Sequence, residues 1–283
     1  MTLISKKSLA VRVGSKSESM DDFFSGAIAG IMVDVSLFPL DTIKTRLQSP
    51  HGFVKSGGFR GIYQGLGPVA IGSGPGAAFF FVTYEKAKKA IAERAPDSNE
   101  SVVHVLAASV GEFVACLVRV PTEVLKQRMQ TAVASSTGLS TVINEVRASP
   151  KGLGGFYAGF SATLMREIPF SVIQFPIYEA SKKHFETEGE SSFGAAICGA
   201  CSGAFAAFVT TPMDVVKTRL MLGADINGVP YNGVLSTMQR VCAEPAGRKG
   251  LLAGATPRTI WIGIGGGIFF GAYTKAKMTF FPS

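Results

Sequence analysis

Charge is scarce in this chain. Of its 283 residues, 17% are Asp, Glu, Lys or Arg and 47% are hydrophobic, and the mean hydropathy is positive. Uninterrupted leucine runs are missing too. The apolar stretches carry Gly, Ser, Thr and a few charges, as helices around a polar cavity would. With 33 glycines and 14 prolines, the composition leans toward membrane helices, where both residues are commoner than in soluble ones. There are four cysteines, Cys116, Cys198, Cys201 and Cys242, and no disulfide framework. Cys198 and Cys201 form a CxxC inside an apolar segment without further ligands nearby, so no metal site follows and small buried residues are expected. The net charge of +8 lacks the basic patch with interleaved aromatics that nucleic-acid binding needs, since Lys and Arg gather at helix ends and loops. Neither Gly72-Ser-Gly-Pro-Gly76 nor Gly263-Ile-Gly-Gly-Gly267 follows a strand, so the dinucleotide reading fails. His104 and His184 stand alone, without a hydrolytic constellation. No enzyme activity and no cofactor is expected.

What the chain does have is a repeat. Pro39-Leu-Asp-Thr-Ile-Lys-Thr-Arg-Leu-Gln48, Pro121-Thr-Glu-Val-Leu-Lys-Gln-Arg-Met-Gln130 and Pro212-Met-Asp-Val-Val-Lys-Thr-Arg-Leu-Met221 align without gaps. Each reads Pro, any residue, acid, two residues, Lys, one residue, Arg. After each comes a polar, Gly-containing loop, then a glycine opening a second apolar segment: Gly65, Gly159 and Gly254. The second segments end in Tyr84-Glu85-x-x-Lys88, Tyr178-Glu179-x-x-Lys182 and Tyr273-Thr274-x-x-Lys277. Three units of about ninety residues result, a period that marks a repeat architecture. The expected division is a basic tail at 1–20 and repeats at 21–98, 99–189 and 190–283. The tail holds Lys6, Lys7, Arg12 and Lys16 against Glu18, a composition like a mitochondrial transit segment or a basic tail without fixed structure.

Six apolar segments fall near 23–43, 66–84, 102–125, 159–178, 193–216 and 254–273, most of them about the ~20 residues that a bilayer crossing needs. A soluble helical solenoid would show one polar face per helix, whereas Ala77-Ala-Phe-Phe-Phe-Val82 is apolar all round. The expected fold is an all-α membrane protein of six transmembrane helices in three pseudo-symmetric repeats around a central cavity. Loop charge sets its orientation. The loops inside the repeats are basic: Lys44 to Tyr63 has four bases and no acid. Those between repeats are not: Glu85 to Ser101 balances four bases with four acids.

The repeated motif identifies the chain as resembling the mitochondrial carrier family, from about Asp22 to the C-terminus. That resemblance implies a monomer in the lipid of the mitochondrial inner membrane, basic loops in the matrix, and alternating access around one central site. A matrix gate is implied in which Asp41 pairs with Lys126, Glu123 with Lys217, and Asp214 with Lys44. Gln48 and Gln130 would brace two pairs, and Met221 cannot brace the third. An outer gate would pair Glu85 with Lys182 and Glu179 with Lys277, while Thr274 leaves Lys88 without an acid. Gly26-xxx-Gly30 and Gly199-xxx-Gly203 fit close helix contact. Their counterparts in the second repeat are Ala108 and Glu112.

Helical geometry puts Asp34, Glu112 and Arg119 within roughly 40° of the gate-acid face, so all three should line the cavity. Arg119 is open to two readings, ligand or partner of another intramembrane charge. By resemblance, the family's substrate positions are Gly72 and Ser73, Arg166 and Glu167, and Trp261 and Ile262. The Arg166-Glu167 dipeptide is like that of the amino-acid-type carriers. An ideal helix does not bring Arg166 inward, and Pro169 is a source of distortion. Cys116 to Pro121, Met165 to Phe170, Ile173 to Glu179 and Thr211 to Leu222 resemble the members that carry S-adenosylmethionine, with S-adenosylhomocysteine as counter-substrate. Asp34, Glu112 and Glu167 would offset its sulfonium and ammonium, Arg166 would clamp its carboxylate, and Trp261 would hold the adenine or the sulfonium. Trp261 also suits a bilayer or packing role. Another cationic amino acid, an adenine-containing cofactor, or a membrane methyltransferase sharing the ligand are the rival readings.

Overall fold

The computed structural model describes residues 16–95, 100–132, 138–185 and 192–265, with backbone alone for 16–31, 73, 77, 100–101, 182–185 and 192–196. Residues 1–15 of the expected tail (1–20), Thr274 and Lys277 lie outside the described residues, as does the side chain of Lys182, and the rest of that tail is helical. Helices dominate: α1 (Lys16–Gln48), α2 (Gly52–Lys55), α3 (Leu66–Arg94), α4 (Glu100–Thr131), α5 (Leu139–Ala148), α6 (Phe160–Phe185), α7 (Ser192–Val209), α8 (Thr211–Leu222) and α9 (Val234–Ala243), followed by α10 at 255–265. Among the described residues the only β-pairing is an isolated bridge between Ala224 and Pro230.

Each repeat opens with a long helix carrying its motif proline. Pro39 and Pro121 lie inside α1 and α4. In the third repeat the helix breaks at Thr210, and α7 and α8 meet at 63°. Pro212 has no N–H to donate and its ring crowds the preceding turn. The Thr210 hydroxyl donates back to the Ala206 carbonyl at 2.8 Å, occupying an acceptor of that loosened turn.

The second helix of each repeat starts after a left-handed glycine, with φ of +92° at Gly65, +81° at Gly159 and +72° at Gly254. These glycines are also points of close approach. A Cβ would lie 2.8 Å from the Lys126 carbonyl at Gly65, 3.2 Å from that of Lys217 at Gly159, and 3.0 Å from that of Lys44 at Gly254. Each repeat thus touches the lysine turn of the next, and the third closes onto the first. Only glycine meets both demands.

Two helices among the described residues are long and apolar enough to cross a membrane alone, within Leu66–Arg94 and Val102–Thr131, and the bent α7–α8 pair makes a third. The polar lining interrupts the others: α1 spends Asp34, Asp41 and Lys44 on the interior. The outer faces are apolar, with Ile71, Phe81, Val105, Ile168, Val172 and Phe175 exposed, as a lipid-facing surface requires. Cys116, Val120, Val124, Val146 and Met221 form a buried cluster, and Ala162, Val216, Leu220 and Tyr231 a second.

The loops within repeats are more structured than a polar, Gly-containing stretch suggests. α5 buries Val142 and Val146, and α9 buries Thr237 and Val241. Both pairs are spaced i, i+4, the one-faced pattern of a short surface helix.

Candidate functional site: a charged ring beneath a polar cavity

At the closed end of the bundle the three motif turns converge, and three ion pairs link them in a circle. Lys126 Nζ lies 2.7 Å from Asp41 Oδ2, Lys217 Nζ 2.5 Å from Glu123 Oε1, and Lys44 Nζ 2.7 Å from Asp214 Oδ2. In each motif the acid and the lysine, three residues apart, sit on one helix face, so both turn inward, and each lysine meets the acid of a different repeat. Gln130 Nε2 donates to Asp41 Oδ2 and Gln48 Nε2 to Asp214 Oδ2, both at 2.9 Å. Thr218 donates to Gln48 Oε1 at 2.7 Å, holding that amide in orientation. The third pair has a different support. Gln127, on the same helix as Glu123, donates to Glu123 Oε1 at 3.4 Å.

A second circle lies outside the first and is incomplete. Arg46 Nε donates to the Gln130 carbonyl at 2.7 Å, and Arg128 Nε to the Met221 carbonyl at 3.1 Å. Arg219 turns away to grip Glu244 with two bonds of 3.0 and 2.9 Å, a forked pairing that anchors the loop after α9.

Above the ring opens a cavity of about 380 Å³. Its lining includes Asp34, Gly72, Arg119, Arg166, Trp261 and Ile262 together with the six ring charges. Arg166 therefore does face inward, and its Nη1 stands 3.9 Å from Asp214 Oδ1. Its helix contains both Pro169 and Pro176, so ideal-helix phasing over thirteen residues is a poor guide there. Asp34 makes no hydrogen bond or ion pair among the described residues. Gly72 is a contact between helices: a Cβ there would collide with the Thr122 side chain.

The sequence of the family described as "Mitochondrial carrier protein" matches residues 15–52, 51–95, 97–189 and 188–283. The chain belongs to the mitochondrial carrier family. It is a transporter rather than an enzyme, an all-α protein of six membrane-spanning helices in the mitochondrial inner membrane. A "Mitochondrial S-adenosylmethionine carrier protein" of Xenopus tropicalis is 47% identical over 93% of this chain and 97% of its own length. The protein of that name from Mus musculus is 48% identical over 89% and 92%. The "S-adenosylmethionine mitochondrial carrier protein homolog" of Drosophila melanogaster is 46% identical over 88% and 89%.

Within this carrier, two acids expected in the cavity are each paired with an arginine of its lining. Glu112 pairs with Arg119 and Glu167 with its neighbour Arg166, and neither is among the lining residues. Glu112 and Arg119 are seven residues apart, two turns along one face, so Arg119 has the structural partner that one reading foresaw. Glu85 and Glu179 are exposed, and neither they nor Lys88 form an ion pair among the described residues. The side chain of Ser73 lies outside the described set. One charged lining residue was missed at the level of sequence. Arg258, on α10, is buried, donates to the Thr210 hydroxyl at 3.0 Å and lies 3.9 Å from Asp214 Oδ2. A lone arginine in an apolar segment was the available signal.

Proposed function

We propose that this carrier imports S-adenosylmethionine into the matrix in exchange for S-adenosylhomocysteine, by alternating access around the cavity. The observation that carries the reading is 47% identity, spread over 93% of the chain, to a relative named for that cargo. The cavity suits it. Its volume falls in the range of about 300–1,000 Å³ typical of small-molecule sites. Asp34 makes no hydrogen bond or ion pair among the described residues and offers a carboxylate to the sulfonium or ammonium. Trp261 offers a ring face to the sulfonium or the adenine, and Arg166 a fork to the carboxylate. Glu167 acts on the cargo through Arg166, whose orientation it holds. The Asp41–Lys126, Glu123–Lys217 and Asp214–Lys44 pairs form the matrix gate, and Glu85, Lys88, Glu179, Lys182 and Lys277 the outer one. The carrier works as a monomer in the lipid of the inner membrane.

Reconstitution in liposomes tests this. Labelled S-adenosylmethionine should accumulate intact, faster when the liposomes are loaded with S-adenosylhomocysteine. Label recovered as a methylated product without net uptake would overturn the reading. So would uptake of a different cationic amino acid or adenine-containing cofactor in its place.

A further inference from the structure

In the ion-pair cluster around Asp214 the cations outnumber the carboxylates. Asp214 is approached by Lys44 at 2.7 Å and by Arg166 and Arg258, both at 3.9 Å. Among the described residues, the one further acid within ion-pair distance of these cations is Glu167, paired with Arg166. Three fixed cations therefore share two carboxylates. Two guanidinium nitrogens are also left over. Arg258 spends Nη2 on the Thr210 hydroxyl, and its Nη1 is buried with no partner among the described residues. Arg166 Nε is buried and unpartnered in the same way. A buried donor without an acceptor is a standing cost that an incoming anion removes.

The position of Arg258 suits a ligand better than a gate. It comes three residues before Trp261 on α10, so the two side chains share a helix face, and both line the cavity. The residues four after Gly65 and Gly159 are Val69 and Thr163, where Gly254 has Arg258. A part of the threefold gate would recur in each repeat. Recognition of one asymmetric cargo needs it once.

We propose that Arg258 is a second donor to the carboxylate of the cargo, completing with Arg166 an anion subsite beside Trp261. This rests on the cargo assigned above. Decarboxylated S-adenosylmethionine keeps the sulfonium, the amine and the adenine and lacks only the carboxylate, so it isolates the contact. In liposomes holding the full chain, unlabelled S-adenosylmethionine should compete for uptake about tenfold better than this analogue, the scale of one charge-assisted hydrogen bond. Equal competition would overturn the subsite while leaving the cargo assignment intact. Absence of S-adenosylmethionine uptake by the wild type would instead overturn the cargo assignment. In Arg258→Gln the preference should fall to about twofold or less, through weaker binding of S-adenosylmethionine with little change for the analogue. A folded Arg258→Gln that keeps the full preference would show that Arg258 only holds Asp214 in place, and would sink the proposal. If that variant does not fold, Arg258→Lys retains the charge beside Asp214 but lacks the fork. A reduced preference in it supports the subsite, and an undiminished one overturns it.

Discussion

Met221 occupies, at the third ion pair, the place that Gln48 and Gln130 take at the other two. A Cβ on Gly254 would lie 3.3 Å from Gln48 Cγ, one on Gly65 3.5 Å from Gln130 Cγ, and one on Gly159 2.9 Å from Met221 Cγ. The three side chains leave equivalent glycines in the same way, so a glutamine at 221 is placed to reach Glu123. Met221→Gln should add a hydrogen bond to a charged group, about 1.5–3 kcal/mol gross, reduced by the loss of apolar packing against Val120, Val124 and Val146. The expected result is a higher unfolding temperature of the cargo-free carrier in detergent and slower exchange in liposomes. If both stay unchanged, the amide does not reach Glu123. Residues of this kind were legible in sequence because the motif repeats: acid, lysine and glutamine recur at fixed spacing, and the resemblance supplied their pairing. Arg258 and Gln127 were not, because neither has a counterpart of its own type at the matching places, and comparing repeats highlights only what recurs.

Among the elements, the long helices were legible in number and order but not in extent. α3 runs to Arg94 and α4 to Thr131, past the apolar segments that end near 84 and 125. Hydropathy registers where lipid contact stops, whereas the helix continues while its backbone bonds are satisfied. α5 and α9 were hidden for the opposite reason, being ten residues each with two buried side chains apiece, too short to lift a periodic signal above the loop. The glycines that start the second helices were visible as repeats, and the structure supplies their reason. That reason separates two substitutions. At Gly58, with φ +56° and nothing within 4 Å of a Cβ, alanine should cost about 1 kcal/mol of left-handed strain. At Gly65 the same strain is joined by a backbone carbonyl 2.8 Å away, an overpacking that adds about 1–3 kcal/mol. Thermal unfolding in detergent should therefore rank wild type above Gly58→Ala and Gly58→Ala well above Gly65→Ala. Equal loss in the two variants would mean that the contact with the Lys126 turn relaxes freely.

For the whole molecule, the decisive quantity is the balance between two closures. The ring proposed as the matrix gate is formed, with three ion pairs, two glutamines on Asp41 and Asp214, and Gln127 on Glu123. The outer set has acids at Glu85 and Glu179 only, because Thr274 stands where the third would be. Alternating access is biased by contacts made in one state and not in the other, so the empty carrier should rest closed toward the matrix and open outward. By the repeat pattern, Thr274→Asp should give Lys88 a partner on the outer side. A partly wet pair contributes about 1 kcal/mol at most, which shifts the ratio of the two states by about fivefold toward the inward-open one. The shift can be read with single cysteines placed in the cavity of a chain lacking Cys116, Cys198, Cys201 and Cys242, labelled by a thiol reagent supplied from either side. Labelling from the matrix side should rise and from the outer side fall. Unchanged accessibility with transport intact would show that the missing acid does not set the resting state. Exchange rate is a poorer readout, because stabilising one closed state slows the next opening while it speeds the preceding step.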